Sequence, residues 1–244
     1  MNSHRTHALT DLLQQVRGIT AVIGGGGKST LLACGGRGLA ARGARTILAT
    51  STHMLPVPDV PLVERGARPS AGCGAGAPTG SEATLYQVGE LESATGKLTA
   101  PTAAWNELAE AADHVLVEAD GSRGLPFKAH NEYEPVIPEG CARVIYVVGA
   151  SGFGRPVYDV VHRPQVFRRL TACAPYEPAT PELVARGIAA EGLVGMPDDM
   201  IVVNQVEDEA ALAAACALTA ALADVVTCPV YAGSLRAGQL IRLA

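Results

Sequence analysis

The sequence predicts an α/β protein: a mostly parallel sheet flanked by helices on both faces, with a small peripheral insertion. Three observations carry that expectation. Short β-branched apolar runs alternate with segments of helical period along the chain, the pattern of strands covered on both faces. Four successive glycines stand between the first clear strand and the helix after it. The 244 residues are 48% apolar and 18% charged, enough for one large core, so residues 1–244 read as a single domain.

In chain order, Ala8 to Val16 has apolar residues at helical spacing, and Ile19 to Ile23 is a β-branched run ending in glycines. Lys28 to Arg42 reads as a helix despite Gly35, Gly36 and Gly38. Each of these costs about 1 kcal/mol relative to alanine in a helix interior, so close packing of this helix against a sheet or ligand is expected. Arg45 to Ala49 is the next strand and completes a right-handed parallel crossover. Residues 56–100 read as the peripheral insertion: residues 66–80 form a Gly/Pro/Ala/Ser-rich loop, with Leu85 to Val88 and Gly96 to Leu98 as a small hairpin around it. The core pattern resumes with a helix over Ala103 to Ala112 and strands His114 to Glu118 and Arg143 to Val148. A helix Pro181 to Ala190, a strand Met200 to Asn204, a helix Asp208 to Ala223 and a strand Val225 to Tyr231 complete it.

Composition excludes several classes. A net charge of −5 offers no basic surplus for a nucleic-acid backbone. No apolar run reaches the roughly 18 to 20 residues of a membrane span, and the N-terminus lacks a signal-peptide apolar region. A cytoplasmic location with no membrane partner is expected. The six cysteines show no CxxC or Cys/His spacing, which argues against structural zinc or a disulfide framework and for free thiols.

The stretch ITAVIGGGGKST carries the clearest chemistry. Gly24, Gly25, Gly26 and Gly27 lack Cβ atoms, so backbone N–H groups can approach phosphate oxygens, and the following helix start adds partial positive charge. Lys28 is placed to neutralise the β and γ phosphates of ATP or GTP. The hydroxyl of Ser29 or Thr30 is placed to ligate Mg²⁺. Val22 stands where the full Walker pattern wants its first glycine, so only the shorter GxxGKST form fits. That form resembles the compact phosphate loop of the Mur ligases. The segment Thr50 to Met54 closes the next strand, and its hydroxyls, Thr52 in particular, reach the same crevice if the strands are parallel neighbours.

A second stretch, HVLVEADGSRGLPFKAHNEYEPVIP, ends a strand in Glu118, followed by Asp120, Gly121, Ser122 and Arg123. Acidic residues at such a strand end suit the Mg²⁺ water shell or the orientation of an attacking water. Lys28, Asp120 and Glu118 are the expected catalytic residues, and Ser29, Thr52 and Asp120 the expected metal ligands. Arg123 and Lys128 add positive charge for phosphates or an anionic second substrate. VVNQVED, from Val202, faintly matches a guanine-reading motif, but Gln205 replaces its lysine and Glu207 its aspartate. A helix cap by Asp208 is the competing reading.

IGGGGKST, ATSTHM, VEADGSRGLPFKAHNEYEPVIP, VVGASGFGRPV with His162-Arg163-Pro164, and VVNQVED together resemble the YqeC family, accessory proteins of selenium-dependent molybdenum hydroxylases. The resemblance implies a P-loop NTPase-like fold and a role in hydroxylase maturation, with the molybdenum cofactor, a selenium donor or a hydroxylase as partner. A Mg-dependent ATP- or GTP-binding accessory protein, with NTPase activity, is therefore the leading expectation. A small-molecule kinase or ATP-dependent ligase, and a non-hydrolysing cofactor- or nucleotide-binding chaperone, are its alternatives.

Overall fold

The computed structural model describes residues 6–63 and 84–244. The expected glycine-rich loop 66–80 lies outside the described residues. In chain order the strands are β1 (Thr6–Ala8), β2 (Gly18–Gly24), β3 (Thr46–Thr50), β4 (His53–Met54), β5 (Leu62–Val63), β6 (Leu85–Val88), β7 (Leu91–Glu92), β8 (Lys97–Thr99), β9 (His114–Glu118), β10 (Phe127–Lys128), β11 (Cys141–Gly149), β12 (Val161–His162), β13 (Met200–Asn204), β14 (Val230–Ser234) and β15 (Gln239–Arg242). The helices are α1 (Leu9–Gln14), α2 (Lys28–Ala41), α3 (Trp105–Ala111), α4 (Val157–Val160), α5 (Pro164–Thr171), α6 (Pro181–Glu191) and α7 (Glu209–Leu222).

One ten-stranded sheet dominates, in the order β1-β15-β14-β13-β11-β2-β9-β3-β6-β5. Every neighbouring pair from β5 to β14 is parallel, and β15 and β1 extend the β14 edge antiparallel. Strand alternation sorts the core into two faces. Val22, Leu48, Leu116, Ile145 and Val202 pack with Leu12 and Leu13 of α1 and Leu31 and Leu39 of α2. On the other face, Ile23, Tyr146, Val148 and Ile201 meet Phe167, Leu183, Ile188 and Leu218 of α5 to α7, while Ile47, Val115 and Val117 meet Leu108 of α3. Apolar residues on both faces of each strand are the reason these segments read as near-continuous hydrophobic runs.

Strand order decides where a ligand crevice forms. The chain leaves β2 through α2 to β3, with β9 inserted between them, then returns to β11 on the opposite side of β2. The carboxyl end of β2 is therefore the point where the order reverses, the usual ligand crevice of an open parallel sheet.

Two expectations about the periphery need correction. Leu85–Val88 is not part of a peripheral hairpin: it pairs parallel with β3 and continues the main sheet through β5. Its Tyr86 and Val88 are buried against α3 residues, and burial on the sheet outweighs its short length. The separate hairpin is β7–β8, joined by β4. The strand expected over Val225 to Tyr231 is β14; it starts at Val230 rather than at Val225, which is 58% exposed, and β15 follows it as the last strand.

The α2 glycines serve helix packing. A Cβ on Gly35 would lie 2.4 Å from Leu13 Cδ1, one on Gly38 2.2 Å from Thr10 Oγ1, and one on Gly36 2.8 Å from Leu48 Cδ2. These residues let α2 seat against α1 on one side and the sheet on the other. Arg143 of β11 secures α1 from beneath, donating from Nη1 to the Leu12 carbonyl at 2.9 Å, which satisfies a helix-end acceptor that would otherwise be orphaned. Gly35→Ala gains about 1 kcal/mol of helix propensity but overpacks against the buried Leu13, which costs about 1 to 3 kcal/mol. Urea unfolding should show a net loss of stability; a more stable variant would contradict this packing.

Candidate functional site

The loop after β2 is made of glycines because the surrounding backbone leaves no room for side chains. Gly24 and Gly26 hold φ of +92° and +75°, and a Cβ on Gly24 would sit 2.3 Å from the Val147 carbonyl oxygen. Three of the loop's N–H groups are engaged within the protein. Gly24 donates to Asp120 Oδ2 at 2.8 Å, and Gly25 and Gly26 donate to the carbonyls of Val147 and Leu125 at 2.9 and 3.0 Å. The segment after β9 thus lies directly across the glycine loop. The first intrahelical bond of α2 runs from Leu31 N–H to the Gly27 carbonyl, so the N–H groups from Gly27 to Thr30 have no acceptor within the helix.

Lys28 opens α2 and is only 3% exposed. Its ammonium donates to the Gly24 carbonyl at 2.8 Å and to Ser122 Oγ at 3.1 Å. It also makes ion-pair contacts with Asp120 Oδ1 at 3.0 Å and Glu118 Oε1 at 4.0 Å. One residue on, the Ser29 hydroxyl donates to Glu118 Oε2 at 2.8 Å. Glu118 ends β9, and neighbouring β3 braces that end: Thr50 Oγ1 donates to the Glu118 carbonyl at 2.8 Å, and Thr52 N–H donates back to Thr50 Oγ1 at 3.0 Å. Glu118, Ser29, Thr50 and Thr52 are therefore brought to one place by adjacent parallel strands and the helix start.

Glu118 and Asp120 lie two residues apart yet sit in opposite electrostatic settings. Burial raises the Glu118 pKa above its ordinary value, and the opposing effects of Lys28 and Ser29 do not cancel it. Burial also raises that of Asp120, but Lys28, His130 and Lys128 together overcome it and hold the carboxyl at about 2. Asp120 Oδ2 accepts from Gly24 and lies 2.6 Å from His130 Nε2, and Lys128 Nζ stands 3.8 Å away. Asp120 is a fully enclosed anion within the protein's own donors, whereas Glu118 faces the helix start through the Ser29 hydroxyl and, at 4.0 Å, the Lys28 ammonium.

Several members of this network carry no sequence signal. The other ring nitrogen of His130 lies 3.0 Å from Glu191 Oε2 at the end of α6, and the Tyr146 hydroxyl is 3.1 Å from the same oxygen. Burial lowers the His130 pKa, but hydrogen bonds to Asp120 and Glu191 more than restore it, leaving it raised. Glu191 is 61 residues from His130, and only the α6 packing brings them together. Asn204, at the end of β13, donates from Nδ2 to the Gly26 carbonyl at 2.7 Å and accepts from Leu235 N–H at 2.9 Å. Its place in the VVNQVED strand end was visible in the sequence; its bond to the glycine loop was not. Gln205 turns away to accept from Ser151 Oγ at 2.7 Å, and Asp208 caps α7 through Ala211 N–H at 2.7 Å. Arg123 is exposed beyond the loop, and Lys128 is buried with its ammonium 2.8 Å from Glu134 Oε2. Cys34, Cys141, Cys173, Cys216 and Cys228 are free.

The signs of these shifts set a pH dependence. A raised folded-state pKa means that the stability contributed by charging His130 is fully present below about pH 6.5 and lost as pH rises through its folded value. Asp120 contributes stability above about pH 3.9, lost as pH falls through about 2. The stability difference between the unaltered protein and His130→Gln should therefore narrow in chemical unfolding as pH rises above about 6.5. A difference that widens with pH would contradict a charged His130.

No helix among the described residues is long and apolar enough to cross a membrane. A relative in Escherichia coli (strain K12), described as "Uncharacterized protein YqeC", is 32% identical over 162 residues, covering 64% of this chain and 62% of the relative. The chain thus spans somewhat under two thirds of that relative's length. The family model described as "YqeC protein" matches residues 20–165, which take in the glycine loop, Glu118, Asp120, Lys128 and His130. By that match the chain belongs to the YqeC family.

Proposed function

We propose that this protein binds a nucleoside triphosphate, ATP or GTP, with Mg²⁺ at the start of α2, in a P-loop NTPase-like fold. The observation that carries the reading is the Ser29–Glu118 pair, 2.8 Å apart, beside Lys28 at the carboxyl end of β2. A hydroxyl and a carboxylate are hard oxygen donors suited to Mg²⁺, and their position at a helix start suits phosphate.

The phosphates would be cradled by the N–H groups from Gly27 to Thr30 rather than by those of Gly24 to Gly26, which protein acceptors already hold. Lys28 would exchange Ser122 for phosphate oxygens while Asp120 keeps it anchored. Ser29 and Glu118 would hold the metal, with Thr52 beside them at the β3 end. Bound Mg²⁺ would offset triphosphate charge and keep Glu118 ionised despite its burial. Asp120 departs here from the expected metal ligand: its role is to tie Gly24, Lys28 and His130 together. Asn204 positions the loop through Gly26.

Phosphoryl transfer to a second substrate, the kinase or ligase reading, draws support from the cations Lys128 and Arg163 just beyond Asp120. At family level the proposal extends to maturation of selenium-dependent molybdenum hydroxylases, with the molybdenum cofactor, a selenium donor or a hydroxylase as the partner. Tight binding without turnover would instead mark a nucleotide- or cofactor-holding chaperone.

Calorimetry with Mg-ATP and Mg-GTP tests the binding site. Lys28→Ala should weaken binding by about tenfold to a hundredfold, from the roughly 1.5 to 3 kcal/mol of a hydrogen bond to a charged group. No binding of either nucleotide, or equal affinity in the variant, would sink the proposal. A paired comparison separates the two carboxylates. Glu118→Gln should abolish the Mg²⁺ dependence of binding with little change in unfolding, whereas Asp120→Asn should cost about 3 to 5 kcal/mol by leaving buried cations uncompensated. The reverse assignment is supported if Asp120→Asn folds normally and loses only metal dependence.

A further inference from the structure

A second concentration of positive charge stands beyond Asp120. Lys128 Nζ has no exposure and donates to the Gly121 carbonyl at 2.6 Å and to Glu134 Oε2 at 2.8 Å. That same Glu134 oxygen accepts from Arg163 Nε at 3.0 Å. β10 and β12 pair in parallel with Lys128 opposite His162, so the ring and the ammonium share one locality. Burial, then the charges of Lys128, Arg163 and Arg123, hold the His162 pKa down to about 4. Arg123 and Arg163 both adopt left-handed backbone, with φ of 52° and 68°, a conformation uncommon for residues other than glycine and concentrated at functional sites.

We propose that Lys128 and Arg163, with Arg123 and His162 at the rim, form a binding site for the oxyanion group of a second small-molecule substrate, a site that the Glu134 carboxylate fills in this state. The need for a second substrate rests on the nucleotide-binding reading above; the anion site itself does not. Charge alternates from Lys28 through Asp120, Lys128 and Glu134 to Arg163. A bound anion therefore sits one ion pair away from the phosphate loop. Glu134 is the exchangeable member. Its side chain is 16% exposed, and its neighbour Tyr133 is 77% exposed, so the carboxylate can swing outward, whereas Lys128 cannot follow. Departure of Glu134 leaves Lys128 with Asp120 at 3.8 Å as its remaining charge partner, and a buried ammonium without a close counter-ion is costly. Replacement by another anion removes that cost. A guanidinium fork beside an ammonium suits carboxylate and phosphate alike.

The test titrates inorganic phosphate and, separately, acetate into the full-length protein, followed by calorimetry and thermal melting. Glu134→Gln should bind at least one of the two about tenfold more tightly than the unaltered chain. Which of the two gains tells a phosphate-bearing substrate from a carboxylate. The gain should vanish in the Glu134→Gln, Arg163→Gln double variant and persist in Glu134→Gln, Lys28→Ala. Equal affinity in Glu134→Gln and the unaltered chain, a gain that survives loss of Arg163, or one that disappears with Lys28 overturns the proposal. Should Glu134→Gln fail to fold, the Arg163 Nε–H resonance of the unaltered protein decides: it should shift on adding phosphate or acetate, and no shift with either overturns the site. A preserved anion gain alongside no Mg-ATP or Mg-GTP binding would refute the nucleotide reading alone.

Discussion

A carboxylate with no exposure, Asp120, is the constraint on which the site depends. Removing an ion from water costs several kcal/mol even after relaxation, and only close, well-directed partners repay it. Asp120 recruits Gly24 N–H, Lys28, His130 and, at longer range, Lys128. These come from the glycine loop, the start of α2 and the segment after β9. His130 extends the requirement to Glu191 at the end of α6, and through it to Tyr146 on β11. Electrostatic compensation of one side chain thus ties together elements from both faces of the sheet.

Backbone sterics reinforce this on the other side of the loop. A Cβ on Gly25 would meet the Leu125 carbonyl oxygen at 2.6 Å, and one on Gly27 would meet Asn204 Nδ2 at 2.3 Å. The glycines are needed first for the chain's own close approaches, and the position of the helix start follows from them. Lys28 and Ser29 are then held at the mouth of the crevice by their bonds to the Gly24 carbonyl, Ser122, Asp120 and Glu118, the kind of pre-organisation that binding of a charged group rewards.

The two acidic residues at the end of β9 and just past it sit in different electrostatic settings. Glu118 is the last residue of the strand, on the α2 face, where burial is countered mainly by Lys28 and one hydroxyl. Asp120 lies past the strand end, where the chain turns beneath the glycine loop into a nest of donors. The pairing with β2 runs on to Ala119, whose N–H donates to the Val22 carbonyl at 3.0 Å, and both carboxylates reach Lys28, at 4.0 and 3.0 Å; their other partners, Ser29 for Glu118 and Gly24 and His130 for Asp120, set them apart.

Local pattern determined much of this protein. The strands from Ile19, Arg45, His114, Arg143 and Met200, the α2 helix and the strand-to-helix glycine turn were all legible, because period, β-branching and glycine act over a few residues. So was the convergence of Lys28, Ser29 and Glu118, since parallel strands present their carboxyl ends together. Legibility failed where distant chain decides. Leu85–Val88 joined the main sheet because burial against α3 and pairing with β3 outweigh its short length. The antiparallel edge strands β15 and β1 exist through pairing with β14 and with each other. His130, Glu191 and Asn204 entered the site, and Asp120 became its enclosed anchor, only through tertiary packing, because the cost of a buried charge depends on every group around it and not on its neighbours in sequence.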